Sequence, residues 1–277
     1  MTLMNKEYLF FKQKKIGYIC GKKIERFKED IPNIVEKKLP DNWQWVNSSE
    51  NTIVAKNTHV KIDESVFLKI FLDRSILEGL KSSVRGSRCQ RSIRQSDILS
   101  GLSFNVPEAY CWGKCHGKDF VITKAIPAIG YADYVKDNIE LIKNSNDHET
   151  AIDLIKSKRK LVSGVGQLVG SLHHKGLIHG DLRPNNILVK DVNQKYEFYL
   201  IDNERNILYK SPSDTLIIKN LVQIMMFFPD DLSSTYRYRF YKNYFNATER
   251  FKIDEQRMII QAVHIKVSDR LKGRSRE

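Results

Sequence analysis

Three oxygen-bearing side chains in the second half of the chain stand at a spacing that suits chemistry. Asp181 and Asn186 are five residues apart in Gly176-Leu177-Ile178-His179-Gly180-Asp181-Leu182-Arg183-Pro184-Asn185-Asn186-Ile187-Leu188, and Asp202 closes Leu200-Ile201-Asp202. A carboxylate can take a proton from a reacting group. Carboxylate and amide oxygens are also the ligands that hard cations prefer. Two β-forming runs, Ile187-Leu188-Val189 and Phe198-Tyr199-Leu200-Ile201, lie between the asparagine and the second aspartate, with turn residues Asp191-Val192-Asn193-Gln194 in the middle. The order predicted is loop, strand, turn, strand, with oxygen donors at both ends of a hairpin.

The flanking elements are those such a loop needs. Leu161, Val165, Leu168 and Leu172 recur at helical spacing. Gly176 follows as a C′ residue, and His173, His174 and Lys175 suit the negative helix end. Leu216, Ile217, Leu221, Ile224, Met225 and Phe228 predict a second buried helix, opened by Ser213 or Asp214 and stopped by Pro229. Tyr241, Tyr244 and Phe245 mark a further helix, whose aromatic stripe reads as core. Residues 143–150 read as a loop or helix junction.

The first half is strand-rich. Residues 8–11, 16–19 and 51–55 are short β-like runs, and Val66-Phe67-Leu68-Lys69-Ile70-Phe71 is the clearest strand. Lys69 within it reads, on alternation alone, as an outward-facing side chain. Residues 78–101 turn basic and helical, with Arg85, Arg88, Arg91 and Arg94 three apart. On a helix these form a slowly drifting stripe that faces either solvent or an anion. Phe120-Val121-Ile122-Thr123 is another strand, and Pro127 after it predicts an extended link.

The bulk numbers narrow the classes. The chain has 277 residues, 41% of them hydrophobic, with 12 Tyr and 13 Phe. That composition excludes a disordered chain and supports a sizeable core. A net charge of +13 predicts anionic partners. Four cysteines are too few for a disulfide scaffold. Cys111, Cys115 and His116 look like half a metal site, but no second pair of ligands lies nearby, so reduced thiols near a turn are expected. Neither a secretory leader nor a membrane-spanning run is read, and the expected location is cytoplasmic.

The stretch from His179 to Asp202 resembles the catalytic loop and metal-binding aspartate of the protein-kinase-like superfamily. Further pieces follow the order of the bacterial lipopolysaccharide kinase family, the Kdo and heptose kinases of the inner core. They are Val66–Lys69, Arg85-Gly86-Ser87-Arg88, Asn105-Val106-Pro107, the run from Val121 to Pro127, and the late stretch with Tyr236-Arg237-Tyr238-Arg239-Phe240 and Tyr244. The chain departs from the protein-kinase pattern in three ways. No Gly-x-Gly-x-x-Gly loop precedes Lys69, Asp202-Asn203-Glu204 replaces Asp-Phe-Gly, and no Ala-Pro-Glu element follows. A cover over the phosphates must come from residues 55–64, and a switching activation loop is not expected.

The resemblance implies an α+β, bilobal protein-kinase-like fold. A small strand-rich N-lobe would take residues 1–125 and a larger helical C-lobe residues 126–277. It implies ATP and magnesium as cofactors, Asp181 as catalytic base, and Lys69, Asn186 and Asp202 as nucleotide-binding residues. Asn186 and Asp202 would be the metal ligands. His179 is expected to organise the loop, and Arg183 to bind phosphate or neutralise Asp181. Asp97 is the nearest helical carboxylate that could pair with Lys69.

The implied reaction moves the γ-phosphate to a sugar hydroxyl of a lipopolysaccharide core. The implied partners are an anionic glycolipid and the cytoplasmic face of the inner membrane, with the enzyme peripheral to it. Arg85, Arg88, Arg91, Arg94, Lys12, Lys14, Lys15, Arg237 and Arg239 are candidates for that contact. No specific nucleic acid is expected. The rival readings are an atypical kinase acting on a protein, a tRNA-linked or a small-molecule acceptor, and a kinase-like pseudoenzyme. Against the last, Lys69, Asp181, Asn186 and Asp202 are all present.

Overall fold

A computed structural model describes residues 9–13, 16–20, 27–58, 65–72, 86–145, 147–193 and 195–273. Arg85, Lys14, Lys15, residues 59–64 of the expected phosphate cover, and the start of the basic segment at Glu78 lie outside the described residues. The side chain of Lys12 does as well. The chain divides into two compact units. One joins Met1–Ile98 with Val106–Pro127, the other Leu99–Asn105 with Ala128–Glu277.

The first unit is built on a seven-stranded antiparallel sheet. Its strands are β1 (Leu9–Gln13), β2 (Ile16–Cys20), β3 (Trp43–Val46), β4 (Thr52–Asn57), β5 (Val66–Phe71), β6 (Ala109–Cys115) and β7 (Lys118–Lys124). They are ordered β1-β2-β6-β7-β5-β4-β3. Strand alternation sends Val66, Leu68 and Ile70 to one face. There they join Phe120, Ile122, Cys111 and Cys115, under α1 (Asp30–Val35) with its Ile31 and Ile34. Both cysteines are free thiols, as expected, and lie in the core on the strand that leads into the turn. The turn is His116-Gly117, and both residues have positive φ. The opposite face gathers Phe71 and Val121 with Cys89 and Ile93 of α2 (Arg88–Gly101).

The start of α2 explains the Gly86-Ser87-Arg88 motif locally. Gly86 has φ +77°. Ser87 Oγ accepts from Gln90 N–H at 3.3 Å, while Gln90 Oε1 accepts from Ser87 N–H at 3.0 Å. This reciprocal pair closes the N-terminus of the helix. The expected stripe of basic residues is corrected at Arg88. Arg88 is buried, stacks 4.9 Å over Phe71, and donates to the carbonyls of Asn51 and Leu72 at 3.0 and 3.3 Å. A guanidinium so occupied holds the sheet and is withdrawn from any anion.

The second unit is mainly helical. Its elements are β8 (Ile129–Gly130), α3 (Tyr131–Asn144), α4 (His148–His174), β9 (Leu177–Ile178), β10 (Ile187–Val192) and β11 (Lys195–Leu200). Then come β12 (Ile207–Leu208), α5 (Asp214–Ile224), α6 (Ser234–Thr248) and α7 (Ile253–Lys272). Asp147 caps the long α4, its carboxylate accepting from Thr150 N–H at 2.8 Å. α4 lies against α6 at backbone distance. A Cβ on Gly166 or Gly170 would stand 2.5 Å from the Phe240 carbonyl oxygen or 2.4 Å from that of Tyr244. Phe240 and Tyr244 stack at 6.1 Å on that seam, which is the core role expected of the stripe. Among the described residues no helix is long and apolar enough to cross a membrane.

Candidate active site

The loop from Gly176 to Asn186 starts where α4 stops. Gly176 takes φ +78°, which glycine adopts without the Cβ penalty, and its carbonyl accepts from Tyr209 N–H at 2.9 Å. β9 then pairs antiparallel with β12, which anchors the chain after Asp202 against the chain before Asp181. Gly180 sits hard on that same segment, where a Cβ would fall 2.1 Å from Arg205 Cβ. The backbones touch because neither glycine has a side chain.

Each of four successive backbone N–H groups in this loop meets a side-chain acceptor. His179 N–H donates to Asn220 Oδ1 at 3.1 Å, Gly180 N–H to Asn206 Oδ1 at 3.1 Å, Asp181 N–H to His179 Nδ1 at 3.1 Å, and Leu182 N–H to Gln223 Oε1 at 3.3 Å. An irregular loop cannot satisfy its amides with a regular ladder, so side chains do it. His179 is fully buried, and burial lowers its pKa. Its Nε2 lies 3.1 Å from the Ile201 carbonyl, so it bridges the loop to the residue before Asp202. Asn203, also buried, donates to the Leu200 carbonyl at 3.0 Å and accepts from Asn206 at 3.1 Å.

Pro184 opens a short 3-10 turn (Pro184–Asn186), and Arg183 before it is extended, as a residue preceding proline prefers. Arg183 grips both carboxylate oxygens of Asp181, at 2.8 and 2.5 Å. The ion pair makes the guanidinium harder still to deprotonate. Asn186 donates its Nδ2 to the Asp181 carbonyl at 2.7 Å, and its own carbonyl accepts from Ile201 N–H at 3.1 Å. Only the nitrogen of the amide can donate, so the bond turns Oδ1 the other way, as an oxygen ligand must be turned. β10 and β11 form the hairpin, turning at Asn193 with φ +55°. Asp202 follows it in the left-handed region, φ +60° and ψ +42°.

Hydrogen bonds therefore join Asp181 and Asn186 to each other and to Ile201, the residue before Asp202. Lys69 belongs to the first unit, on β5, opposite Val54 and Val121. Lys69 is half-buried and alternates to the same face as half-buried Phe67 and buried Phe71, its Nζ 5.3 Å from the Phe71 ring. Arg237 is corrected as an anion contact. It donates to the carbonyls of Leu232, Met225 and Phe227 at 2.9, 3.0 and 2.6 Å, and burial lowers its pKa. Asn206, Asn220 and Gln223 are site residues that the sequence reading passed over. The signal was present: Asn220 is a polar residue inside the apolar pattern of α5.

Comparison with known proteins follows the same lines. Residues 134–244 match the model of the Lipopolysaccharide kinase (Kdo/WaaP) family, a segment that includes the whole loop and hairpin. The structure of WaaP in complex with acyl carrier protein covers 91% of this chain and 98% of its own, with a TM-score of 0.61 at 17% identity. A Methanosphaera stadtmanae protein described as a probable bifunctional tRNA threonylcarbamoyladenosine biosynthesis protein is 29% identical over 117 residues. The match takes in 42% of this chain and only 21% of that protein. The chain shares the fold of that structure, and its residues 134–244 are similar to a family of kinases. Its resemblance to the lipopolysaccharide kinases is borne out over residues 134–244.

Proposed function

We propose that this chain transfers the γ-phosphoryl group of ATP to a sugar hydroxyl of a lipopolysaccharide core, Kdo or heptose. The observation that carries the reading is the family match over a loop that groups a carboxylate, an oriented amide and a second carboxylate. Lys69, Asn186 and Asp202 would hold the magnesium nucleotide, the last two as metal ligands. Two hard oxygen donors fit a cation that keeps much of its water and takes phosphate oxygens. Bound there, magnesium neutralises charge on the phosphates.

Asp181 is the base in this reading. Arg183 holds both oxygens of its carboxylate and must release one before that oxygen meets the acceptor. The acceptor hydroxyl then gives its proton to Asp181, its oxygen bonds to the γ-phosphorus, and the bond to the β-phosphate oxygen breaks. Arg183, whose side chain is 61% exposed, is free to turn toward the transferred group. The anionic acceptor or membrane would meet the basic face of α4 and α6, where Arg159 and Arg239 flank Tyr236. A protein partner such as the acyl carrier protein seen with WaaP falls within the same proposal.

A second reading has its own observation, the likeness to a tRNA-modification protein. One experiment separates the two: magnesium-dependent transfer of labelled γ-phosphate from ATP to a panel. The panel holds lipid A–Kdo, heptose-containing deep-rough lipopolysaccharide, an aminoglycoside, a generic protein and tRNA. Label in the core glycolipids is expected. Label in tRNA, drug or protein instead would overturn the glycolipid assignment and keep the phosphotransferase.

A further inference from the structure

The seam between α4 and α6 ends in a cluster of cations. Gly166 lies against Phe240 and Gly170 against Tyr244, so the two helices run parallel at a constant offset. Continued back along both, the offset brings the turn of α4 from Lys158 to Val162 against Tyr236, in the first turn of α6. Lys158 is 3% exposed and braces the phenol from within. Its Nζ stands 4.7 Å from the Tyr236 ring centroid and donates to the Asp231 carbonyl at 3.1 Å.

Two more cations act on Tyr236. Burial raises the pKa of its hydroxyl, while the charges of Arg159 on α4 and Arg239 on α6 pull it down. Neither guanidinium has an acid of its own. Among the described residues no carboxylate pairs with Arg159 or Arg239. The acids nearby serve other cations. Asp231 acts on Lys158 and Arg237, and Asp153 pairs with Lys156 at 3.0 Å. Arg239 Nε is also out of reach of water and meets no acceptor. The fold therefore places a guanidinium without using it, and an enclosed donor left unmet is costly.

We propose that Arg159, Arg239 and the Tyr236 hydroxyl form a binding site for a phosphate monoester that the acceptor already carries. Two guanidinium charges match a dianion, whereas a carboxylate would neutralise only one of them. The phenol adds an O–H donor. The place of the site in the fold limits the acceptor further. Arg159 lies about four turns before the end of α4, about 22 Å by helix rise from where the catalytic loop starts. A phosphate held there belongs to a part of the acceptor remote from the reacting hydroxyl. The acceptor class is an extended, phosphorylated glycan or glycolipid, since a free monosaccharide could not reach both places. The acceptor assignment rests on the phosphotransferase reading; the phosphate site does not.

The test uses the full chain. Inorganic phosphate is titrated in while the arginine Nε–H ¹⁵N resonances are followed. The Arg239 resonance should move and saturate with phosphate, and should move far less with acetate at equal ionic strength. The saturation should be lost in Arg159→Gln, which keeps a good helix former at an exposed position and should fold. Steady-state transfer from magnesium ATP is then measured with deep-rough lipopolysaccharide before and after phosphatase treatment. In Arg159→Gln and in Arg239→Gln, KM for the untreated acceptor should rise about 10- to 100-fold, the range for charge-assisted bonds, with kcat held. With the wild type, the treated acceptor should already show the higher KM, and the two losses should not add. Binding to phosphatidylglycerol vesicles, whose phosphate is a diester, should hold in both variants. Absence of a saturable shift at Arg239 would overturn the site. So would losses that add to the effect of the phosphatase, or vesicle affinity falling as far as acceptor affinity, which would make the arginines a general contact for anionic surfaces. A wild type that phosphorylates no acceptor would defeat the function reading instead, and the phosphate titration would still decide the site.

Discussion

Lys69 and Asp181 are placed by different means. Lys69 belongs to a strand paired on both sides, with β4 and β7, so its position is set by backbone hydrogen bonds that any non-proline residue supplies. Asp181 belongs to a loop whose backbone N–H groups are met one by one by Asn220, Asn206, His179 and Gln223. The sheet holds Lys69 through a pattern, and the loop holds Asp181 through particular residues. A pattern tolerates substitution around the reactive group, because the ladder survives it. A loop of this kind should fail when any one of its partners changes, because each buried donor then loses its only acceptor.

The largest expected effect comes from Asp181, the base in the proposed reading. Asp181→Asn should lower phosphoryl transfer by about 10²- to 10⁴-fold, the range for losing a general base, in the labelled-phosphate assay. The amide can still accept from Arg183, and Asp181 N–H keeps its bond to His179, so the thermal midpoint should stay near that of the wild type. Full turnover in the variant would remove Asp181 as the base and with it the contrast drawn here.

The next effect tests whether the loop's scaffold must remain uncharged. Burial, with a smaller push from Arg250, brings His173 from its ordinary 6.5 down to about 4, while its hydrogen bond to Asn220 pulls the other way. Between these two values the unfolded chain binds more protons than the folded one, so stability rises with pH there. The contribution is complete above about pH 6.5 and is lost as the pH falls through about 4. The difference amounts to about 3 kcal/mol. Denaturant unfolding of the wild type between these pH values measures it. A flat stability profile would show that buried His173 tolerates charge.

Gly180→Ala comes third. Its new Cβ would meet Arg205 Cβ at 2.1 Å and the Arg205 carbonyl oxygen at 2.5 Å, and backbone cannot retreat as a flexible side chain does. Overpacking of this kind costs about 2 kcal/mol. Activity should drop further than stability, because the strain falls beside Asp181. A variant with native stability and native turnover would mean that the segment after Asp202 is less firmly set on the loop than β9 and β12 make it.

What was legible in the sequence divides along the same line as the two placements. The strand Val66–Phe71, the hairpin turning at Asn193, Gly176 as the C′ residue and α5 opening after Ser213 are all local patterns, and a local pattern can be read along the chain. Asp181, Asn186 and Asp202 were legible as a group because loop, hairpin and aspartate follow one another directly. The roles of Arg88 and Arg237 were not. A guanidinium binds an anion or a carbonyl according to what folding brings near it, and Arg88 meets the carbonyl of Asn51, 37 residues away. Asn220 escaped for the same reason, since its partners are 41 residues back in the chain. α3 and α7 carry too narrow an apolar stripe to stand out from their polar surroundings. β6 was passed over because its cysteines were weighed only as thiols near a turn, and Cys111 and Cys115 lie on its buried face.

The smallest effect on stability sharpens the comparison from the other side. Lys69→Met keeps the apolar stem, the strand and its place above Phe71, and removes the ammonium. The β5 ladder does not depend on that group. The ion pairing a half-exposed lysine makes is worth about 1 kcal/mol or less, so denaturant unfolding should shift by no more than that. Nucleotide affinity should fall clearly in the same sample, read by titration calorimetry with magnesium ATP, because a point charge on the phosphates has been lost. A large loss of stability would mean that β5 too is held by particular side chains. Loss of nucleotide affinity with the fold intact would show the strand acting as a replaceable mount for one charge, which Asn220 and its loop cannot be.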